Sequence, residues 1–171
     1  MPVKILGVDC GTEFTGYGLV EQNERGELRC LTSGTIELSR RESMPQRLTR
    51  VFAQLSSVLE HHQPDSVAIE DVFYAHNVKS ALKLGQVRGV AMLAAAVHGC
   101  AVAEYSPLAI KSAVTGYGKA EKIQVQQMVT RLLCLGTPPA SFDAADALAV
   151  AICHVHTAST QQRFHSAAAA R

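Results

Sequence analysis

The sequence predicts a three-layer α/β domain, one mixed sheet of five strands with helices on both of its faces. Three observations lead there. The N-terminal stretch from Val3 to Leu38 holds three apolar, β-branched runs separated by turn residues. Short apolar strands then alternate with amphipathic helices. The last third reads as helix after helix, so the order is βββαβαβααα.

Taken in order, alternation and β-branched content make Val3 to Asp9 a buried strand, and Thr15 to Gln22 and Leu28 to Leu38 continue it as an antiparallel meander with turns at "CGTE" and "NERGE". In "SMPQRLTRVFAQLSSVLEHH" the residues Leu48, Val51, Phe52, Leu55, Val58 and Leu59 recur at helical spacing, with Ser43 as N-cap and Pro64 just past the end. "DSVAIEDVF" is a further short apolar run that finishes in carboxylates. "NVKSALKLGQVRGVAMLAAAVHG" is a long helix stopped by Gly99, and "CAVAEY" is read as an inner strand. Helical segments follow near Pro107 to Val114, Glu121 to Leu135 and Ser141 to about His156. The tail "TASTQQRFHSAAAAR" lacks apolar periodicity and is expected to be unstructured. The organisation expected is one domain over 1–157 and a tail over 158–171.

The 171 residues with 47% hydrophobic content suit a single domain with a sizeable core. No basic flank with an apolar segment marks a cleavable signal, and no stretch reaches the roughly 18 apolar residues of a membrane helix. A cytoplasmic protein without membrane contact is expected. The five cysteines are scattered and form no CxxC pair, which favours neither a disulfide framework nor a zinc site. The net charge of +1 hides an uneven distribution: residues 79–131 carry seven basic side chains against two acidic ones. A polyanion fits such a stretch, and so does an ordinary solvated helical face.

Chemistry concentrates in four carboxylates. Asp9 ends the first strand and Glu70 the fourth, and the crevice at strand ends is where α/β sheets bind ligands. In "SFDAADALAVA" Asp143 and Asp146 are three apart, on one helical face and in the first turn. Each acid alone has a plain reading, as a helix-dipole partner, a turn stabiliser or half of an ion pair. Converging, they would repel one another and hold their protons unless a cation came between them. An oxygen-only donor set suits Mg²⁺ or Mn²⁺ better than Zn²⁺, and two such ions could clamp the attacking and leaving oxygens of a phosphodiester.

"GVDCGTEFTGYGLV", "VAIEDVFYAHNVKSALKLGQVRGV", "GYGKAEKIQVQQMV" and "DAADALAVAICH", in that order and covering nearly all of the chain before the tail, resemble the RuvC family of Holliday junction resolvases. The resemblance implies a ribonuclease H-like fold and a homodimer that binds four-way DNA junctions. It further implies metal-dependent incision of two opposed strands, with two Mg²⁺ ions per subunit for which Mn²⁺ substitutes, and the RuvAB branch-migration complex as partner. The acidic tetrad of the family falls on Asp9, Glu70, Asp143 and Asp146, as metal ligands and catalytic groups. The sequence departs from the pattern at Cys10, where the family usually has proline after the first aspartate; a catalytic thiol there has no histidine near it in sequence.

The residues that would hold DNA follow. "FYAHNVK" sets aromatics beside polar and basic groups, and the resemblance makes Phe73 the residue that stacks on an unpaired base, with Asn77 and Lys79 beside it. Packing of Phe73 beneath the long helix is the alternative. Arg88 belongs to the basic stretch and is read as a further DNA contact. "GYGKAEKIQVQ" places Lys119 and Lys122 near a helix N-terminus, where they are assigned to the scissile or neighbouring phosphate, with Lys111 a weaker candidate. Gly11, Gly16 and Gly18 would let backbone pass close to substrate or simply punctuate turns. Ala81, Gly85, Gly89, Met92 and Ala96 form a stripe of mostly small residues that would admit a second subunit or pack on the chain's own sheet. His154 reads as a core histidine with satisfied nitrogens. The rival functions are a phosphotransferase like the actin and hexokinase or acetate-kinase folds, which share an Asp-x-Gly-Thr turn but need two domains, and a catalytically silent junction-binding protein.

Overall fold

A computed structural model of the chain describes residues 1–71 and 77–169. β1 (Val3–Asp9), β2 (Phe14–Gln22) and β3 (Leu28–Glu37) form the expected meander. They are followed by α1 (Met44–His62), β4 (Ser66–Glu70), α2 (Val78–Val97), β5 (Ala101–Tyr105), α3 (Pro107–Thr115), α4 (Lys122–Leu132) and α5 (Phe142–Ala169). The single sheet has the order β3-β2-β1-β4-β5, with β1, β4 and β5 parallel. β5, read from sequence as an inner strand, is an edge: β4 covers one side only, and Val102 is 37% exposed.

Local chemistry explains the helix ends. The Ser43 N–H donates to Gln46 Oε1 at 2.8 Å, closing the first turn of α1 as its sequence suggested. Gln63 leaves α1 in the left-handed conformation, and Gly99 does the same just beyond α2. α5 outruns its expected end near His156, its backbone remaining helical to Ala169. Alanine, glutamine and arginine favour helix intrinsically, whether or not an apolar stripe is present.

Two apolar layers flank the sheet. Leu6, Val8, Val67 and Ile69 point toward α1 and α2, whereas Ile5 and Ala68 point toward α3, α4 and α5. α5 lies against β1 and β2, and three glycines let it approach: a Cβ on Gly7 would sit 2.0 Å from the Ala147 carbonyl oxygen, one on Gly16 2.0 Å from that of Asp143, and one on Gly18 2.6 Å from Leu148 Cγ. The clearance at Gly16 and Gly18 therefore serves the helix. Gly11 instead closes the β1–β2 turn, where a Cβ would meet the Phe14 carbonyl oxygen at 2.1 Å.

Candidate active site

Strand alternation aims the first two acids. Val8 pairs with Ile69 across the parallel β1–β4 ladder, so Asp9 and Glu70 stand side by side one residue further on. Because Val8 and Ile69 point toward α1 and α2, the next residues point to the opposite face, where α5 begins. α5 is held there by its start: Ser141 Oγ accepts the Ala144 N–H at 3.0 Å and bonds Thr35 Oγ1 on β3 at 2.6 Å. Asp143 and Asp146 thus enter the field of the strand-end carboxyls.

The electrostatics follow from this arrangement. Burial, then the neighbouring Glu70, then Asp146 and Asp143 raise the Asp9 carboxyl from an ordinary 3.8 to about 8. Burial likewise raises Glu70 and Asp146. Lys122, the first residue of α4, reaches Asp146 Oδ2 at 3.1 Å. Burial pulls the Lys122 ammonium down, but Asp146, Asp9 and Asp143 outweigh it and the net shift is upward. Among the described residues no three His, Cys, Asp or Glu side chains are arranged to hold a metal ion. The donor chemistry nevertheless fits a hard divalent cation: half-buried carboxyls are drawn together, Asp9, Glu70 and Asp146 among them pushed above the usual carboxylate range, with a lysine ammonium supplying positive charge to Asp146.

The flanking residues separate into three groups. The positive charge of Lys111, on α3, acts on both Glu70 and Asp146, and Lys119 is exposed. Asn77 caps α2, its Oδ1 accepting the Lys79 N–H at 2.9 Å, and Lys79 is exposed beside it. Arg88, expected at the DNA surface, is instead folded inward: its side chain is 15% exposed, 3.2 Å from Asp71 Oδ1 and paired with Glu104. Nothing in the local sequence marks that pairing, because the partners lie on three different elements. Phe73 falls outside the described residues. Phe14 and Phe142, exposed by 44% and 43% and unremarked in the sequence, begin β2, which pairs beside Asp9, and α5, which carries Asp143 and Asp146.

The other candidates resolve simply. His154 is satisfied on both nitrogens, Nδ1 with the Tyr105 hydroxyl at 2.8 Å and Nε2 with Ser66 Oγ at 3.0 Å. Cys10 is 8% exposed, and burial together with Asp9 pushes its thiol up to about 12, far from a thiolate nucleophile.

The family model described as crossover junction endodeoxyribonuclease RuvC matches residues 5–154, a span that includes all four acids. The chain belongs to the RuvC family. Crossover junction endodeoxyribonuclease RuvC of Koribacter versatilis is 57% identical over 166 residues, covering 97% of this chain and all of that one. The RuvC of Acidobacterium capsulatum is 54% identical, covering 94% and 97%. Among solved structures, Thermus thermophilus RuvC in complex with Holliday junction substrate superposes with a TM-score of 0.88 at 31% identity, covering 93% of this chain and 96% of that one. The same organism's RuvC alone gives 0.85 at 32%, covering 93% and 97%. The five-stranded sheet flanked by helices is therefore the ribonuclease H-like RuvC fold, and family membership decides against the phosphotransferase alternative.

Proposed function

We propose that the chain is a Holliday junction resolvase, a homodimeric, metal-dependent endonuclease that makes paired nicks in four-way DNA junctions. The observation that carries this is the meeting of Asp9, Glu70, Asp143 and Asp146 at one end of the sheet, in a RuvC-family chain that superposes on a RuvC solved with a Holliday junction. The four carboxylates would hold two Mg²⁺ ions, or Mn²⁺ in their place. Bound there, the ions would supply a water nucleophile at neutral pH and offset charge on the phosphoryl oxygens.

The chain's own residues do the rest. Glu70 and Asp9 hold the strand-end side of the site, and α5 holds the other. Lys122, 3.1 Å from Asp146 Oδ2, lends that acid positive charge and would stand within reach of a phosphate at the site. Lys111, whose charge acts on Glu70 and Asp146, stands on the same side. Lys119, exposed beyond them, contacts the backbone further from the scissile bond. Phe73, by the family resemblance, stacks on an unpaired base, while Lys79 and the amide of Asn77 approach the strand beside it. Phe14 and Phe142 add apolar faces at the mouth of the site.

The outward face of α2 supports the dimer. Val78, Leu82, Leu93 and Val97 are exposed by 74, 65, 54 and 63%, and a Cβ on Gly85 or Gly89 would meet nothing within 4 Å. Gly85 and Gly89 point away from the chain's own sheet, leaving room for a second helix. Two active sites related by a two-fold axis would cut two strands symmetrically. RuvAB as partner, action in the cytoplasm and a nuclease domain spanning 1–157 complete the reading. Among the described residues no helix is long and apolar enough to cross a membrane.

The test is incision of a synthetic four-way junction with and without Mg²⁺, with both nicks mapped. Symmetric nicks in strands of like polarity, made only with the metal, are expected. Binding without incision would support a silent junction binder, and nicks at unrelated positions would leave a general structure-selective nuclease.

A further inference from the structure

Glu70 and Asp71 are consecutive residues at a strand end, and they face opposite sides of the sheet. Glu70 points toward α5 and the other acids. Asp71 points toward α2, where its Oδ1 lies 3.2 Å from Arg88 Nη2. The same nitrogen engages Glu104 of β5, which pairs in register with Ile69 and so faces the α2 layer as well. The Asp71 N–H donates to the Tyr105 carbonyl oxygen at 2.7 Å, extending the β4–β5 ladder by one bond past Glu70. Glu70 is thus followed by a residue gripped twice, by β5 through its backbone and by α2 through its side chain. Arg88 reaches this point from the middle of α2.

We propose that Arg88 and Asp71 form a positioning clamp, which fixes the strand end bearing Glu70 from the far face of the sheet and so sets how tightly the acidic site holds its divalent ions. Neither residue touches metal or substrate. The clamp acts by restricting the backbone from which the Glu70 carboxylate projects, as outer-sphere partners do for metal ligands generally. It also ties the placement of Glu70 to α2, the helix with the exposed apolar face. The inference rests on Glu70 being a metal ligand.

The arrangement contains its own control. Glu104 shares Arg88 with Asp71 but adjoins no proposed ligand, so a merely structural ion pair would make Asp71→Asn and Glu104→Gln alike. Mn²⁺ binding to the full chain, followed by the electron paramagnetic resonance signal of the free ion, separates the two without reading incision. Asp71→Asn is expected to weaken Mn²⁺ binding by about tenfold. Glu104→Gln should stay within about twofold, since it removes no contact to the Glu70 segment. Arg88→Lys, which keeps the charge but replaces a fork with a single ammonium, should fall between them, and it carries the test if Asp71→Asn does not fold. Equal Mn²⁺ affinities in Asp71→Asn, Glu104→Gln and wild type would overturn the clamp, as would equal losses in both carboxylate variants. An unaltered wild-type protein that binds no Mn²⁺ would overturn the metal reading itself, and the clamp with it.

Discussion

Replacing Gly16 with alanine tests whether α5 is held where its acids must be. The added Cβ would lie 2.0 Å from the Asp143 carbonyl oxygen, 2.5 Å from its carbonyl carbon and 3.2 Å from the Ala144 nitrogen. All three are backbone atoms, so no side chain can rotate away. Reaching even a close van der Waals contact of 3.4 Å requires β2 and the start of α5 to part by about 1.4 Å. Overpacking of this kind costs about 1–3 kcal/mol. For a domain of this size that is a melting point lower by about 2–4 °C per kcal/mol. The catalytic cost should be larger, since Gly16 pairs in register with Asp9 and the displaced residue is Asp143 itself. Misplacing reacting groups by about 1 Å costs on the order of a hundredfold in rate. The assay is single-turnover incision of a four-way junction, well below the melting point of the variant. Gly18→Ala is the control, because its Cβ meets chiefly the Leu148 side chain, further along α5. It should lose stability with a much smaller loss of rate. A Gly16→Ala protein that cuts at the wild-type rate, or one whose loss merely tracks stability as Gly18→Ala does, would refute the reasoning.

Four further outcomes are expected. Glu70→Gln should keep junction affinity within a few fold while losing incision, because a ligand oxygen loses its charge and the basic surface remains; lost binding with intact chemistry would contradict the site. Asp9, whose carboxyl is raised to about 8 by burial and its acidic neighbours, keeps its proton in the folded metal-free state. Its contribution therefore makes metal-free protein less stable as pH rises from the ordinary carboxylate range toward 8, and Mn²⁺ binding should strengthen over that window and release protons at pH 7, measurable by calorimetry in buffers of different ionisation enthalpy. Leu82→Glu, at a position 65% exposed on α2, should leave the melting point of the subunit nearly unchanged but shift sedimentation toward monomer and abolish paired nicking. Iodoacetamide should modify exposed Cys134 readily and leave buried Cys10 intact, with incision retained, as peptide mapping and a junction assay would establish.

Much was legible in the sequence because short-range periodicity carries it. The meander, the alternation of strands with helices, the cap at Ser43 and the paired acids at helical spacing are all set by neighbours within a few residues. The strand-end positions of Asp9 and Glu70 were legible for the same reason, since a charge closing an apolar run is a local anomaly. The satisfied state of His154 was anticipated because it lies on the helical stripe of Asp143 and Val150 but well past the acids, though its partners Tyr105 and Ser66 were not.

Pairings between distant elements needed the tertiary structure. A count of basic residues along residues 79–131 treats Arg88 like Lys79, yet the fold turns one inward to Asp71 and Glu104 and leaves the other in solvent. α3 likewise brings the charge of Lys111 to bear on Glu70 and Asp146, while Lys119 stands exposed. The sequence shows that Gly16 is small but not what comes close, and Asp143 lies far along the chain. β5 reads as apolar enough to be inner and is an edge because no strand follows it in the sheet. Residue types and spacing determined the elements and the inventory of acids, because helix and strand geometry is periodic and local. Which side chains neutralise one another, and which face of α2 is left without a partner, depended on long-range packing, because Coulomb and contact energies depend on separation in space and not along the chain.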